Sequence, residues 1–464
     1  MLTCTAACSF APHYQRPLTA PAPQVYREAG DWKPAQPADF ADRGPWWRIF
    51  NDPTLDELQQ RVTSANQDLK AAFARLQQAR AQTRIIRSQL FPTLNLDPSA
   101  RRAHPSVHSP SYAGPPAGVS ANDFILGADL SYELDVWGRV RNSVASARAS
   151  EQASAADLAT LDLSTHAELA SDYFMLRGQD AQQQLLDKTV SDYAQALQLQ
   201  ETLFKGGAAA QGDVDQARAQ LEAARTQAAD IRLQRAQTEH AIAVLIGESP
   251  STYHLPPQPL ALDYVPPAID AGMPSALLER RPDVAAAERR VAAANAQIGV
   301  ARAAYFPVFS LGAQAGYESS TTSNLISVPS HFWSIGPSAV LTVFDAGRHR
   351  AQSAQAHAAY EEQVADYRGT VLTAYQQVED NLAALRQLEA ESISEAAAVL
   401  ATGGALRQSQ FQYSGGLVTY LQVVVTENTA LSARLSATDI LVRRINATVL
   451  LIKALGGGWA GTSP

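Results

Sequence analysis

The sequence has very few cysteines. Of its 464 residues, only Cys4 and Cys8 are cysteines, and both lie near the start of the chain. No disulfide can therefore cross-link the chain beyond its first eight residues. Small residues precede Cys8 from Thr5 onward, as they do at bacterial lipoprotein processing sites. From this run alone, a lipidated Cys8 and two stray thiols near a chain end are equally good interpretations.

Other features are scarce as well. The net charge is -8, so the chain lacks the basic balance of a nucleic-acid-binding protein. No uncharged apolar run reaches about 18 residues, which argues against a transmembrane helix but not against membrane strands, whose signal is weaker. A glycine-rich phosphate loop and a G-x-S-x-G elbow are both missing, and His349 and His357 do not have metal-ligand spacing. We predict neither an enzyme nor a cofactor, a metal site or a nucleic-acid partner.

Proline is missing from two long stretches. The chain has 26 prolines, yet none lies from Ala117 to Ser249 or from Ser338 to Ser463. Proline breaks helix interiors, and these stretches are rich in good helix formers, so they predict very long helices. A coiled coil is the simplest alternative, but glycine turns and interposed strands argue against it.

Two landmarks show an internal duplication. Phe91-Pro92 recurs as Phe306-Pro307, and Gly206-Gly207 recurs as Gly415-Gly416. We predict a unit of helix, strand, loop, strand, long helix, glycine turn and helix, built twice.

The predicted boundaries are as follows. Residues 1–8 are a shortened leader with the processing site, and residues 9–53 are an extended segment. Repeat 1 covers 54–260, with helix 65–90, strands 92–102 and 124–136, and helices 138–205 and 213–246. Repeat 2 covers 261–464, with helix 280–304, strands 307–317 and 332–344, and helices 347–413 and 417–455.

The predicted strands alternate between apolar and polar residues. This alternation fits either a half-buried soluble sheet or a membrane barrel with lipid outside and water inside. Each strand has about the length that spans a bilayer when tilted. Four strands cannot close a barrel, so several chains would have to share one. Asp129, Glu133 and Asp135 would then face the lumen and favour cations, although each could equally belong to a solvated face.

Five stretches carry a resemblance that covers essentially the whole chain. They are CSFAPHYQRP at Cys8, WWRIFNDPTLDEL at Trp46, YELDVWGRVR at Tyr132, LLERRPDVAAAERRVAAANAQIGVARAAYFP at Leu277 and ALGGGW at Ala454. With them the chain resembles the TolC-like outer-membrane efflux ducts, in the lipoprotein branch (OprM/NodT type) that serves resistance-nodulation-division (RND) pumps.

The resemblance implies a mainly α protein with membrane β structure. The expected assembly is a homotrimer, with an α-barrel tunnel of long helices and a shared twelve-stranded β-barrel in outer-membrane lipid. It implies the exit duct of a tripartite pump for drugs or other small toxic compounds, lipid-anchored at Cys8, with its tunnel in the periplasm. The implied partners are a periplasmic adaptor (membrane fusion) protein and an inner-membrane RND transporter. A sibling duct for type I protein secretion or metal efflux, and a periplasmic coiled-coil scaffold without a pore, are the alternatives.

The two Gly-Gly turns are the expected periplasmic tips, because glycine permits the positive φ that a helix hairpin needs. The resemblance implies that they contact the adaptor, whereas two solvated hairpins would be the plain alternative. The adaptor-contacting candidates are Lys205, Gly206, Gly207, Gly212, Asp213, Ser414, Gly415, Gly416 and Tyr420.

The resemblance also places a gate on the second tip. Leu421 falls where the branch has an apolar constriction. Val425 stands where the branch usually has Asp, and Asn428 stands where an Arg often follows. We therefore expect a more hydrophobic gate than is usual, which would resist ions by dewetting. The nearby acids Asp213, Asp215 and Glu427 are expected to be ordinary surface charges.

Overall fold

The structure is a computed structural model that describes residues 9–19, 27, 44–106, 108, 119–269 and 281–457. Cys4, Cys8 and the start of the Leu277 stretch lie outside the described residues. Within these ranges, no helix combines the length and apolarity needed to cross a bilayer. The elements are α1 (Pro53–Ala65), α2 (Gln67–Ser88), β1 (Thr93–Ala103), β2 (Ala121–Leu134), α3 (Arg139–Lys205), α4 (Gln211–Leu245), α5 (Pro282–Ala303), β3 (Val308–Ser319), β4 (His331–Val340), α6 (Arg348–Ser414) and α7 (Tyr420–Ala454).

The predicted duplication is confirmed by the lengths of the helices. α3 and α6 have 67 residues each, and α4 and α7 have 35 each. α2 and α5, which precede the strands of the two repeats, have 22 each. From α2 onward, the order of the described elements in the first repeat therefore recurs in the second.

Helix α1 has no counterpart in the predicted elements. Its N-cap is Asp52, whose side chain accepts hydrogen bonds from the backbone of Thr54 (2.9 Å) and Leu55 (3.1 Å). Pro53 follows at the first helical position, where proline is favoured. This Asp-Pro pair is a helix-start signal that the sequence prediction passed over.

The strands differ from their predicted ends for reasons of pairing. β1 continues to Ala103, whose partner is Ala121, so β2 begins three residues earlier than predicted. β4 ends at Val340 because Val340 pairs with Val308, the first residue of β3. The residues after Val340 have no strand residue beside them.

The four strands form one antiparallel sheet in the order β1-β2-β3-β4. Its two faces differ in chemistry because successive side chains alternate between them. Leu94, Leu96, Trp333 and Ile335 are between 64% and 69% exposed on the apolar face. The register aligns one polar row, Asn95–Asp129–Gln314–Ser334, and on the opposite face two apolar rows, Leu94–Leu130–Ala313–Ile335 and Leu96–Ala128–Ala315–Trp333.

The chain divides into two compact units, and the sheet belongs to the first. This unit comprises Arg75–Ala155 and Ala286–Arg368 together with the N-terminal residues up to Leu18. Within it, the ring of Phe10 stacks on Phe306 at 4.5 Å, and Ser9 donates a hydrogen bond to Asn142 at 3.1 Å. The start of the described chain is thus bound where the strands meet the helices.

The second unit contains the two glycine turns and the linker between the repeats. Buried charges hold this linker on α3 and α4. Arg235 donates to Asp180 at 2.6 Å and to the carbonyl of Leu255 at 2.7 Å, and Glu239 accepts from the amide of Leu255 at 2.6 Å. Each buried charge has an opposite charge and a backbone partner, which offsets its desolvation.

Candidate functional site

The first tip, residues 203–219, joins α3 to α4. Gly207 has φ 74°, a left-handed conformation that favours glycine. Its amide donates to the carbonyl of Phe204 at 2.9 Å, and the next amide, of Ala208, donates to Leu203 at 2.8 Å. These two bonds define a Schellman motif, which satisfies the last carbonyls of α3.

The second tip, residues 412–428, joins α6 to α7 with the same geometry. Gly416 has φ 71°. Its amide donates to Tyr413 at 3.0 Å, and the amide of Leu417 donates to Gln412 at 2.9 Å. The two tips therefore have the same backbone motif.

Most of the predicted adaptor-contacting residues lie on the surface of the tips. Asp213 is partly exposed and also caps α4, because its carboxylate accepts the amide of Ala210 at 3.2 Å. The residues that the structure leaves exposed are Lys205, Gly206, Gly207, Gly212, Ser414, Gly415 and Gly416.

Tyr420 differs from this prediction because its side chain is only 6% exposed. It packs with Val423 and Val424 of α7 against Ala217 of α4. Burial raises the pKa of Tyr420 to about 12, so its hydroxyl stays neutral. In this chain Tyr420 stabilises the second tip from inside and does not present its ring to a partner.

The two apolar gate candidates lie on the opposite, exposed face of α7. Leu421 is 55% exposed and Val425 is 52% exposed. Their spacing of four residues places them one above the other along the helix. The single chain covers neither of them.

Asn428 links α7 to two other helices. The hydroxyl of Tyr193 on α3 donates to Asn428 Oδ1 at 3.2 Å. Asn428 Nδ2 donates to Gln220 Oε1 on α4 at 3.0 Å. The second tip is therefore tied to the first repeat by a neutral bridge of three side chains.

Glu427 is not the plain surface charge that was expected. Its Oε1 accepts from Gln410 at 3.3 Å, whereas its buried Oε2 has no hydrogen-bond partner. Burial raises the pKa of Glu427, the charge of Asp192 adds to the rise, and the bond from Gln410 opposes it. The expectation failed because spacing alone did not show that α6 lies over this side chain.

The three acidic lumen candidates occupy different positions. Asp129 lies in the polar row of the sheet, where it accepts from Asn95 at 3.3 Å. Glu133 lies on the same face near the end of β2, and Arg139 binds both of its oxygens, at 2.8 and 2.6 Å. The charge of Glu133 is therefore largely balanced within the chain.

Asp135 departs from the prediction because it follows the last residue of β2. Its carboxylate accepts the amides of Val140 (3.0 Å) and Arg141 (2.9 Å), and the side chain of Arg141 lies at 3.0 Å. A carboxylate in this position caps the N-terminus of α3 and complements its dipole. Asp135 is thus a helix cap rather than a residue of the sheet face.

Sequence reasoning missed Tyr193 and Gln220, which bind Asn428. No motif marks them, because the three residues come from three helices that are far apart in sequence. Within the part of the chain that the structure describes, no group of three or more His, Cys, Asp or Glu side chains is placed to hold a metal ion.

Comparison with known proteins shows the family of the chain. The sequence pattern of outer membrane efflux proteins matches residues 58–248 and 273–457. The chain belongs to this family, which confirms the resemblance.

Two relatives and one solved structure illustrate the similarity. The probable efflux pump outer membrane protein TtgC of Pseudomonas putida is 32% identical over 97% of this chain and 93% of its own length. The pyoverdine export outer membrane protein OpmQ of Pseudomonas aeruginosa is 33% identical over 95% and 92%. The structure of the outer-membrane channel OprN superposes with a TM-score of 0.89 and 31% identity, covering 97% of this chain and 100% of that one.

Proposed function

We propose that this chain forms the outer-membrane exit duct of a tripartite efflux pump for drugs or other small toxic compounds. The observation that carries the proposal is the sheet with one apolar and one polar face. Within the described residues, β1 and β4 each pair with only one strand. Hydrocarbon does not tolerate open strand edges, so a membrane sheet of this kind must close. Three copies that join β4 to β1 would close a twelve-stranded barrel with the polar row inside.

The helices supply the rest of the duct. Three copies of the six long helices α2 to α7 would form the wall of a tunnel. Three copies of Leu421 and Val425 would meet at its end as an apolar constriction, where dewetting stops ions. The Asn428 bridge would hold this end closed without the ion pair that is usual in the branch.

The proposed partners follow from exposed surfaces. The surface residues of both tips would contact a periplasmic adaptor, which in turn joins an inner-membrane RND transporter. Lipidation at Cys8 is supported by the binding of Ser9 and Phe10 next to the base of the sheet. An acyl chain attached just before Ser9 would enter the membrane at that level. The name of OpmQ, a pyoverdine export protein, supports small-molecule export as the class of cargo.

A matched pair of variants in β4 tests the membrane sheet. Ile335→Lys places a charge on the apolar face and should abolish insertion, because lysine at mid-bilayer costs about 2–4 kcal/mol per copy. Ser334→Lys places the same charge on the polar face and should insert normally. The wild type should purify in detergent as a trimer and give single-channel currents. Equal insertion of both variants, or a wild type that is a water-soluble monomer, would overturn the proposal.

A further inference from the structure

The four strands separate their charged side chains by face. Every carboxylate of the strands lies on the polar face, since each one is in register with a residue of that face on the neighbouring strand. These acids are Asp97, Asp123, Asp129, Glu133 and Glu318. Within the four strands, the apolar face therefore has no negative charge.

One arginine lies on the apolar face. Arg102 is on the same face of β1 as Leu94 and Leu96, because successive side chains of a strand alternate between the faces. Its side chain is exposed and, among the described residues, has no hydrogen-bond or ion-pair partner. Asn122 of β2 lies opposite it. A charge on a lipid-facing surface is costly at mid-bilayer but costs little at the membrane boundary, where headgroups can contact it.

Arg102 lies at the end of the sheet that is far from the helices. α2 precedes β1 at Thr93 and α3 follows β2 beyond Leu134, so the helices join the opposite end. Arg102 follows Leu94 by eight residues, which is about 27 Å along a strand and about 20 Å of height at the usual tilt. The apolar band of a membrane barrel is about 25 Å tall. In the proposed duct, Arg102 would therefore reach the outer boundary of the hydrocarbon.

Aromatic side chains lie just inside this boundary. On the apolar face, the rows that lead along the sheet from Leu96 towards Arg102 contain Trp333, then Tyr317, then Phe124. The ring of Tyr317 also meets His331 edge-on, with 5.8 Å between the ring centroids. Membrane barrels have such aromatic girdles at their interfaces with water. The girdle and Arg102 together form an outer rim where the apolar face ends.

We propose that Arg102 binds a phosphate group of the glycolipid that forms the outer leaflet of the outer membrane. A guanidinium presents paired N–H donors that match two oxygens of a phosphate. The apolar rows below Arg102 would contact the acyl chains of the same molecule, so headgroup and tail both meet a complementary surface. The polar face carries Asp123 and Glu318 at this end and would repel the phosphate. The inference rests on the proposed function, since only a sheet inserted in that membrane meets this lipid.

A matched pair of arginine variants tests the contact. Arg101 is the neighbour of Arg102 on β1, but it lies on the polar face opposite Asp123. Native mass spectrometry of the detergent-solubilised trimer, titrated with bisphosphorylated lipid A, measures the apparent Kd. Arg102→Ala should weaken binding about tenfold, because each copy loses a charge-assisted hydrogen bond. Arg101→Ala should leave the Kd unchanged.

Further probes identify the source of the phosphate. Lipid A without its phosphates should bind wild type and Arg102→Ala equally, and inorganic phosphate should not displace lipid A. An equal loss of affinity for phosphatidylglycerol in Arg102→Ala would assign the contact to any anionic phospholipid and overturn the glycolipid. Arg102→Gln, which removes the charge but stays polar, should weaken binding as alanine does and replaces it if the alanine variant does not assemble.

The outcomes separate the lipid contact from the duct. Equal affinities of wild type and Arg102→Ala for lipid A, or the same loss in Arg101→Ala, would refute the contact. If these trimers still conduct, the duct stands. A wild type that neither forms a trimer nor conducts would refute the duct, and the lipid contact with it.

Discussion

The first and second tips share a backbone but not a surface. Both close with a glycine at positive φ and the same two amide bonds. Yet Leu421 and Val425 of the second tip stand where the first tip has Gly212 and Gln216. Both copies have the glycines that the turn geometry requires, whereas the exposed helix face is polar in the first tip and apolar in the second. The turn geometry is thus common to both tips, and what distinguishes the proposed gate is one helical stripe of the second tip.

The largest effect should come from removing that apolar stripe. Leu421→Ser with Val425→Ser should raise the resting current about tenfold if wetting lowers the barrier by ~1.4 kcal/mol. The matched variant, Gly212→Ser with Gln216→Ser in the first tip, should leave the current unchanged. Single-channel recording in planar bilayers measures both. An unchanged conductance in the second-tip variant would show that the gate lies elsewhere.

The next effect should come from the bridge that ties the second tip to the first repeat. Asn428→Ala removes two hydrogen bonds, a loss of ~1 kcal/mol, so openings should become roughly fivefold more frequent. Tyr193→Phe removes one of the two and should have a smaller effect. Ala219→Ser, at the equivalent position of the first tip, is the control. If Asn428→Ala opens no more often than this control, the bridge does not hold the gate.

At the two turns themselves we expect a change in stability, and not in gating, that is equal at both sites. Gly207→Ala and Gly416→Ala each place a side chain at positive φ, which costs about 1–2 kcal/mol. The two variants should lower the melting temperature of the detergent-solubilised protein by the same few degrees. Circular dichroism melts measure this, with Gly403→Ala as a control that should not lower it. Clearly unequal losses would mean that the two turns are not equivalent.

The smallest effect should come from Glu427. Because burial raises its pKa, the folded tip favours the protonated form, and stability declines as the pH rises through that pKa. Glu427→Gln should remove this decline and raise the melting temperature at neutral pH by less than about 2 °C. The exposed Asp215→Asn of the first tip should change neither. A pH profile identical to wild type in Glu427→Gln would contradict the role of burial.

Landmark residues made much of this architecture predictable. Phe-Pro pairs end α2 and α5, and glycine pairs mark both tips, because these residues perform backbone tasks that few others can. Alternation in the strands predicted the two faces of the sheet, since the period of a strand is two. Helix α1 was not predicted, although Asp52 and Pro53 form a typical helix-start signal of N-cap and first helical residue.

Contacts between distant helices were beyond this reasoning. Spacing within α7 places Leu421 and Val425 on one stripe, but it does not show which helix lies against the next face. Three features depend on packing between helices and not on spacing within one. They are the burial of Tyr420, the Glu427 oxygen that has no hydrogen-bond partner, and the bridge from Asn428 to Tyr193 and Gln220. Asp135 was misplaced for a related reason, since only the end of β2 decides whether a carboxylate lies on the sheet or caps α3.

Within the described residues, the two outer strands β1 and β4 each have one open edge, which has a consequence for biogenesis. A newly exported protomer cannot hide β1 and β4 by itself, so it must be escorted through the periplasm or meet its siblings quickly. Folding of the sheet and subunit association would then be a single event. A subunit with a damaged β1 edge should therefore inactivate the assemblies that it forms with wild-type subunits in the same cell, which is a dominant-negative effect.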